Sequence, residues 1–208
     1  MTLEKPVSIK ERFGNYLPVV VDLETSGVNP LKDAILEIAA LIVNIDDQGQ
    51  LQPGETFDCH VLPFEGAHID PAALAVNRID PYHPFRFAID ENKALNDFFN
   101  FVDAAVVKAD CHRAVLVGHN AHFDLSFIQA TMKRCKFKTS PFHAFTCFDT
   151  ATLSGMIFGK TILAKALREA NIPFDKNEAH SAIYDAKRTA ELFCYIGNRI
   201  ELRQEGSK

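Results

Sequence analysis

Asp22 and Glu24 stand inside the run Val19-Val20-Val21-Asp22-Leu23-Glu24-Thr25. A carboxylate is costly to bury unless something compensates it. Three consecutive valines read as a buried strand, and side chains two apart on a strand share a face. The two carboxylates therefore converge at the end of an apolar element, where a bound cation most simply relieves their repulsion. Hard oxygen ligands of this kind suit Mg²⁺, with Mn²⁺ as a substitute.

Three further residues could join them. Asp124 closes Gly118-His119-Asn120-Ala121-His122-Phe123-Asp124, where a short buried strand gives way to a helix. Ligands of open α/β sheets gather at such strand ends. Taken alone, Asp124 is equally well explained as a first-turn Asp favoured by the helix dipole. His180 and Asp185 bound the stretch His180-Ser181-Ala182-Ile183-Tyr184-Asp185. Residues five apart cannot face one site from the middle of a regular helix. They can if His180 precedes the helix, with Ser181 near the N-cap and Asp185 in its second turn. Without the other residues, a loop histidine and a solvated aspartate would be the simpler account.

The elements that must position these groups follow from patterning. Strands are expected over 17–24, 36–45 and 57–62, with a turn at Asp46-Asp47-Gln48-Gly49 between the second and third. Together they suggest an antiparallel meander. Asp70-Pro71 opens a short helix. A longer one covers 90–108, with apolar residues at 95, 98, 99, 102, 105 and 106. A buried strand is expected over 114–118, a helix over 122–135, a strand over 144–148 and helices over 161–170 and 181–200. The last carries a core stripe of Ala182, Ala186, Thr189, Phe193 and Ile196. Strands first, then alternating helices and strands, indicate an α/β domain with a mixed sheet.

Bulk properties narrow the classes. The 208 residues, 47% apolar and 24% charged, fit one globular domain over 1–208, with a core over about 17–200 and a short polar N-terminal arm. The five cysteines are scattered, with no Cys-x-x-Cys pair, which argues against a disulfide framework or structural zinc. Reduced thiols in a cytoplasmic protein are expected. No apolar stretch approaches the roughly 20 residues that span a bilayer, and the N-terminus lacks a signal-peptide apolar region. The net charge of −5 is unlike a non-specific nucleic-acid binder. Any nucleic-acid contact must use local basic patches. Lys133-Arg134-Cys135-Lys136-Phe137-Lys138 puts four cations in six residues, and Arg12, Lys108 and Arg113 are further candidates for phosphate binding. The plainer account of this run is a solvated helix end whose cations favour the C-terminal dipole.

Four carboxylates and one histidine, in this order and these contexts, resemble the DEDDh group of 3′→5′ exonucleases in the RNase H-like superfamily. Asp22-Leu23-Glu24-Thr25-Ser26-Gly27 is similar to that group's Asp-x-Glu-Thr-x-Gly. His119-Asn120-Ala121-His122-Phe123-Asp124 is similar to its His-Asn-x-x-Phe-Asp, and 180–185 to its His-x-Ala-x-x-Asp. Within the group, Pro141-Phe142-His143-Ala144-Phe145-Thr146-Cys147-Phe148-Asp149-Thr150 and Ile79-Asp80-Pro81 resemble the ribonuclease T family. The resemblance implies a mixed five-stranded sheet flanked by helices and a two-metal hydrolysis of phosphodiester bonds, one nucleotide at a time from RNA 3′ ends. Transfer RNA is expected among the substrates, with single-stranded DNA as a second type. Asp22 would bridge the two Mg²⁺ ions, Glu24 and Asp185 would complete the first site, Asp124 would support the second, and His180 would take the proton from the attacking water. Phe123 and Phe145 are expected to stack on terminal bases, each stack worth roughly 1–3 kcal/mol. A homodimer is implied, in which one subunit's basic patch serves the other's site.

The chain departs from that family where Val28 follows Gly27, where Ala75-Val76-Asn77 lacks a phenylalanine, and where Ala72 replaces an acidic residue. Valine cannot stack on a base, so an altered terminal-base preference is expected. Two other readings remain at this point. A proofreading subunit of a DNA polymerase shares the three motifs but would be expected to carry a polymerase-binding tail. A catalytically inactive nucleic-acid-binding domain is disfavoured by retention of all five residue types.

Overall fold

The computed structural model describes residues 8–200. Its central sheet has five strands: β1 (Tyr16–Thr25), β2 (Ile35–Ile45), β3 (Leu51–His60), β4 (Arg113–Gly118) and β5 (Phe142–Asp149). Their order is β3-β2-β1-β4-β5, the first three antiparallel and β1, β4 and β5 parallel. This is the mixed sheet expected from the sequence. Val19, Val20 and Val21 are no more than 1% exposed, so both faces of β1 are covered, as an uninterrupted apolar strand requires.

The helices are α1 (Ile9–Arg12), α2 (Pro71–Asn77), α3 (Glu91–Lys108), α4 (His122–Arg134), α5 (Thr150–Phe158), α6 (Leu163–Glu169) and α7 (Ala182–Gly197). α3 packs on β2, β3, β4 and α4, while α7 packs on β1, β2 and β3 and on α5 and α6. The predicted apolar stripes of α3 and α7 are buried throughout. Asp70 and Asp90 cap α2 and α3 through their side chains. Part of the expected N-terminal arm, residues 1–7, lies outside the described residues; the rest contains α1, held by a Ser8–Glu11 capping box.

Two elements differ from expectation. β3 begins at Leu51, six residues before the expected start at Phe57. Residues 52–56 show no apolar alternation because β3 is an edge strand, where Pro53 is tolerated. Its start is fixed by Asn198, whose side chain accepts from Leu51 N and donates to Leu51 O. α5 was not expected at all: Thr-Ala-Thr-Leu-Ser-Gly-Met-Ile-Phe has a central glycine and little periodicity. It forms because Asp149 caps its start and Gly159, at φ 66°, closes its end.

The β1–β2 loop is tied down by Ser26 and Asp33. Ser26 Oγ accepts from Ala34 N at 2.8 Å and donates to His68 O at 2.7 Å. The buried Asp33 carboxylate accepts from Asn29 N and lies 2.7 Å from His68 Nδ1. A Cβ at Gly27 would sit 2.2 Å from Asp33 Oδ2. We expect Gly27→Ala to destabilise the fold by about 1–3 kcal/mol in urea denaturation. Val28→Ala, at a side chain 80% exposed, should stay within about 0.5 kcal/mol.

Candidate active site

β1 outruns β4. Their parallel ladder ends at Val20↔Val117, and the next stretch of β1 carries Asp22 and Glu24. The β1 backbone freed there is met by Asp124, whose Oδ1 accepts from Leu23 N at 3.1 Å. Asp124 is buried in the first turn of α4. Gly118 makes room for it, since a Cβ there would lie 3.2 Å from Asp124 Oδ2.

His180 and Asp185 come from the start of α7. His180 precedes α7, as the five-residue spacing demands, in a left-handed conformation (φ 67°). Such a backbone in a non-glycine residue is strained and needs support. Asp185 Oδ2 gives that support, accepting from His180 N at 2.9 Å. Ligand atoms of Glu24, His180 and Asp185 all lie within 4.8 Å of one another. Asp185 Oδ1 is buried without a hydrogen-bond partner among the described residues. An orphan anionic oxygen among other carboxylates fits a divalent cation.

The electrostatics agree. Burial pushes the Asp22 carboxyl well above its usual range, and the charges of Asp124, Asp185 and Glu24 push it further. Glu24 is raised to about 7, by burial and then by Asp185 and Glu37. Asp124 is raised to about 8, chiefly by burial. Asp185 is raised by burial, against the opposing effect of its bond from His180 N.

Three positioning residues escaped sequence reading. Glu37 lies opposite Glu24 in the β1–β2 ladder, and its carboxylate accepts from Ala182 N at 3.2 Å, capping α7 where Ser181 does not. An acidic residue inside Leu36–Ile45 was a legible signal of the same kind as Asp22. Asn77 donates to Thr25 O and hydrogen-bonds Glu24. Asp149 accepts from Asn120 N, Ala121 N and Thr152 Oγ1, fixing the loop that enters α4. Burial pushes its carboxyl up, but these bonds prevail and hold it below the usual range.

The other expected residues are scattered. Phe123 is half-buried, with ring centroids 4.9 Å from Phe127. Phe145 is 76% exposed on a bulge of β5, edge-on to His143. Arg12 donates to Gly197 O and Gly49 O, and Arg134 pairs with Glu91 beneath the Phe64 ring. These two guanidiniums are already engaged. Lys108 pairs with Glu55 on the surface. Lys133, Lys136 and Lys138 are exposed, and Arg113 is half-buried.

Raised carboxylates bind more protons folded than unfolded, so without metal the fold loses stability as pH rises from about 4.5 through 7–8. In EDTA the melting temperature should fall between pH 5 and pH 8. Divalent cations should restore it, and more strongly at pH 8 than at pH 6, because binding displaces protons. A melting temperature in EDTA that rises over this range would contradict the assignment.

The comparisons with known proteins agree with this geometry. An exonuclease family model (RNase_T) matches residues 19–193. A ribonuclease T of Shewanella sp. (strain W3-18-1) is 54% identical over 191 residues, covering 92% of this chain and 86% of the relative. One of Vibrio cholerae is 51% identical over 194 residues, covering 93% and 87%. Among solved structures, the nuclease domain of 3′hExo, a DEDDh family member bound to rAMP, aligns with TM-score 0.69 at 16% identity over 90% of this chain and 96% of that one. E. coli exonuclease I in complex with a dT13 oligonucleotide aligns with TM-score 0.68 at 16% identity, over 88% of this chain and 41% of that one. The chain therefore belongs to the ribonuclease T family of exonucleases.

Proposed function

We propose that this protein is a divalent-metal-dependent 3′→5′ exoribonuclease that removes one nucleotide at a time from RNA 3′ ends, transfer RNA among them, using Mg²⁺. The observation that carries this reading is the meeting of Glu24, His180 and Asp185 within 4.8 Å, beside Asp22 and Asp124. A pair of divalent cations, when bound, clamps the attacking and leaving oxygens of an in-line displacement. Asp22, Glu24, Asp124 and Asp185 would hold those cations. The exposed His180 ring takes a proton from the attacking water and passes it to solvent. The water oxygen bonds to phosphorus, the bond to the preceding 3′ oxygen breaks, that oxygen takes up a proton from solvent to become the new 3′-hydroxyl, and a nucleoside 5′-monophosphate leaves.

Phe145 and the free face of Phe123 are the aromatic surfaces for unpaired bases. The exposed cations Lys133, Lys136 and Lys138 sit at and just beyond the far end of α4, Lys133 nine residues and about 13.5 Å along the axis from Asp124. This placement favours a homodimer in which the patch reaches the partner's site. The whole chain acts as one domain. Its cysteines are free, which suits the cytoplasm, and no helix among the described residues is long and apolar enough to cross a membrane.

On 3′-labelled single-stranded RNA with Mg²⁺, Asp22→Asn and Asp185→Asn should each abolish hydrolysis while the melting curve stays cooperative. His180→Ala should lower kcat by about 10²–10⁴-fold with little change in KM. Full activity in excess EDTA would sink the metal mechanism, and exclusive hydrolysis of DNA would turn the reading toward proofreading.

Lys133→Glu/Lys136→Glu should weaken RNA binding, with a shallower salt dependence than the wild type. Mixed with Asp22→Asn subunits under exchange conditions, this variant should regain activity, because the intact patch then faces the intact site. A monomer in sedimentation, or no regain on mixing, would remove the dimer from the proposal.

A further inference from the structure

A cleft of about 520 Å³ adjoins His180 and is lined by none of the four site carboxylates. Its walls are the end of α2 (Asn77, Arg78), the loop from Asn177 to Ser181, and the outward face of α7. On that face Tyr184, Lys187 and Arg188 stand three and four residues apart, the spacing of helical neighbours. The titratable groups facing the cleft are Arg78, Lys187, Arg188, His180, Tyr184 and a single acid, Glu178. In a chain of net charge −5 this is a local reversal of sign.

The cations differ in what holds them. Arg188 donates to Pro173 O, pairs with Glu191 and lies over the Tyr184 ring. It is part of the wall. Arg78 and Lys187 are exposed, with no hydrogen bond or ion pair from either side chain among the described residues. Both line the same cleft from different elements. A phosphate monoester carries about −1.5 to −2 charges at pH 7 and three strong acceptor oxygens, whereas an internal phosphodiester carries one charge. Two unengaged cations in a concave site match the monoester.

We propose that this cleft is a subsite for a nucleotide phosphate monoester, held by Arg78 and Lys187 next to the catalytic histidine. The exoribonuclease reading supplies two sources with this chemistry: the released nucleoside 5′-monophosphate and an RNA end bearing a 3′-phosphate. The proposal rests on that reading only for the origin of the ligand. Occupied by product, the subsite would make the enzyme sensitive to accumulated mononucleotides. Occupied by a 3′-phosphorylated end, it would admit ends that a bare 3′-hydroxyl pocket rejects.

The test is calorimetric titration of the full chain with cytidine 5′-monophosphate and cytidine 3′-monophosphate in EDTA at low salt. No metal is then present to draw phosphate to the carboxylates. The wild type should bind, and Arg78→Asn/Lys187→Gln should bind at least tenfold more weakly, with the difference shrinking as salt rises. Asparagine suits the left-handed backbone at Arg78 (φ 59°), and Lys187→Gln alone serves as a second variant that leaves α2 untouched. The charge-matched control Lys165→Gln/Arg168→Gln on α6 should bind like the wild type. Tighter binding of the 5′ compound assigns the subsite to released product, and tighter binding of the 3′ compound assigns it to phosphorylated RNA ends. No binding by the wild type, or equal weakening in the control, would overturn the proposal. The assay involves no turnover, so its failure is distinct from absence of metal-dependent hydrolysis, which would overturn the exoribonuclease reading instead.

Discussion

The structure depends on keeping like charges together. Asp22, Glu24, Asp124 and Asp185 are brought to the end of the central strand, where burial raises all four carboxyls and repulsion from neighbouring carboxylates adds to it at Asp22, Glu24 and Asp124. No hydrophobic gain comes from placing them there. The protein offsets part of the cost with fixed dipoles: Leu23 N on Asp124, His180 N on Asp185 and the Asn77 amide on Glu24. Each supplies a fraction of a charge, so the site remains short of positive charge. Asp185 Oδ1, with no donor among the described residues, marks the shortfall. Strain and incomplete compensation kept at one place are what an active site requires and a core would not tolerate.

The same logic explains why the supporting residues are themselves acidic. Glu37 caps α7, Asp149 braces the entrance to α4, and Asp33 fills the space Gly27 leaves open. Each accepts from a backbone N–H: Glu37 and Asp149 from a distant segment, Asp33 from its own loop. Carboxylates are used here as rigid acceptors that lock loops in place. Part of the acidic content is thus structural, and the candidate site is braced by further acids that meet backbone donors.

How far this was legible in the sequence varies by element. The Val19–Val21 run, the stripes of α3 and α7, and the Asp caps of α2 and α3 follow from local rules, and all are found. The position of His180 before α7 was the condition that spacing set for His180 and Asp185 to share a site, and the structure meets it. β3 and α5 were misread where local pattern is weak and tertiary partners decide: Asn198 for β3, Asp149 for α5. Fates of arginines were the least legible. Whether Arg12 or Arg134 is free for phosphate depends on Gly197 O and Glu91, which are 185 and 43 residues away in the chain.

Grip on a nucleic acid must then come from what is left exposed. Val28 and Val76 are 80% and 54% exposed, apolar but unable to stack on a base. The aromatic surfaces proposed for stacking are the exposed Phe145 and the half-buried Phe123. In the proposed reading an acidic chain meets an anionic strand through unengaged cations, among them one group at the end of α4 and one beside His180. Charge contacts weaken as counterions compete, while stacking is far less sensitive to salt. Replacing aromatics by valines therefore shifts the interaction from one kind of force to the other. The proposed subsite of Arg78 and Lys187 belongs to the charge-based part of that grip.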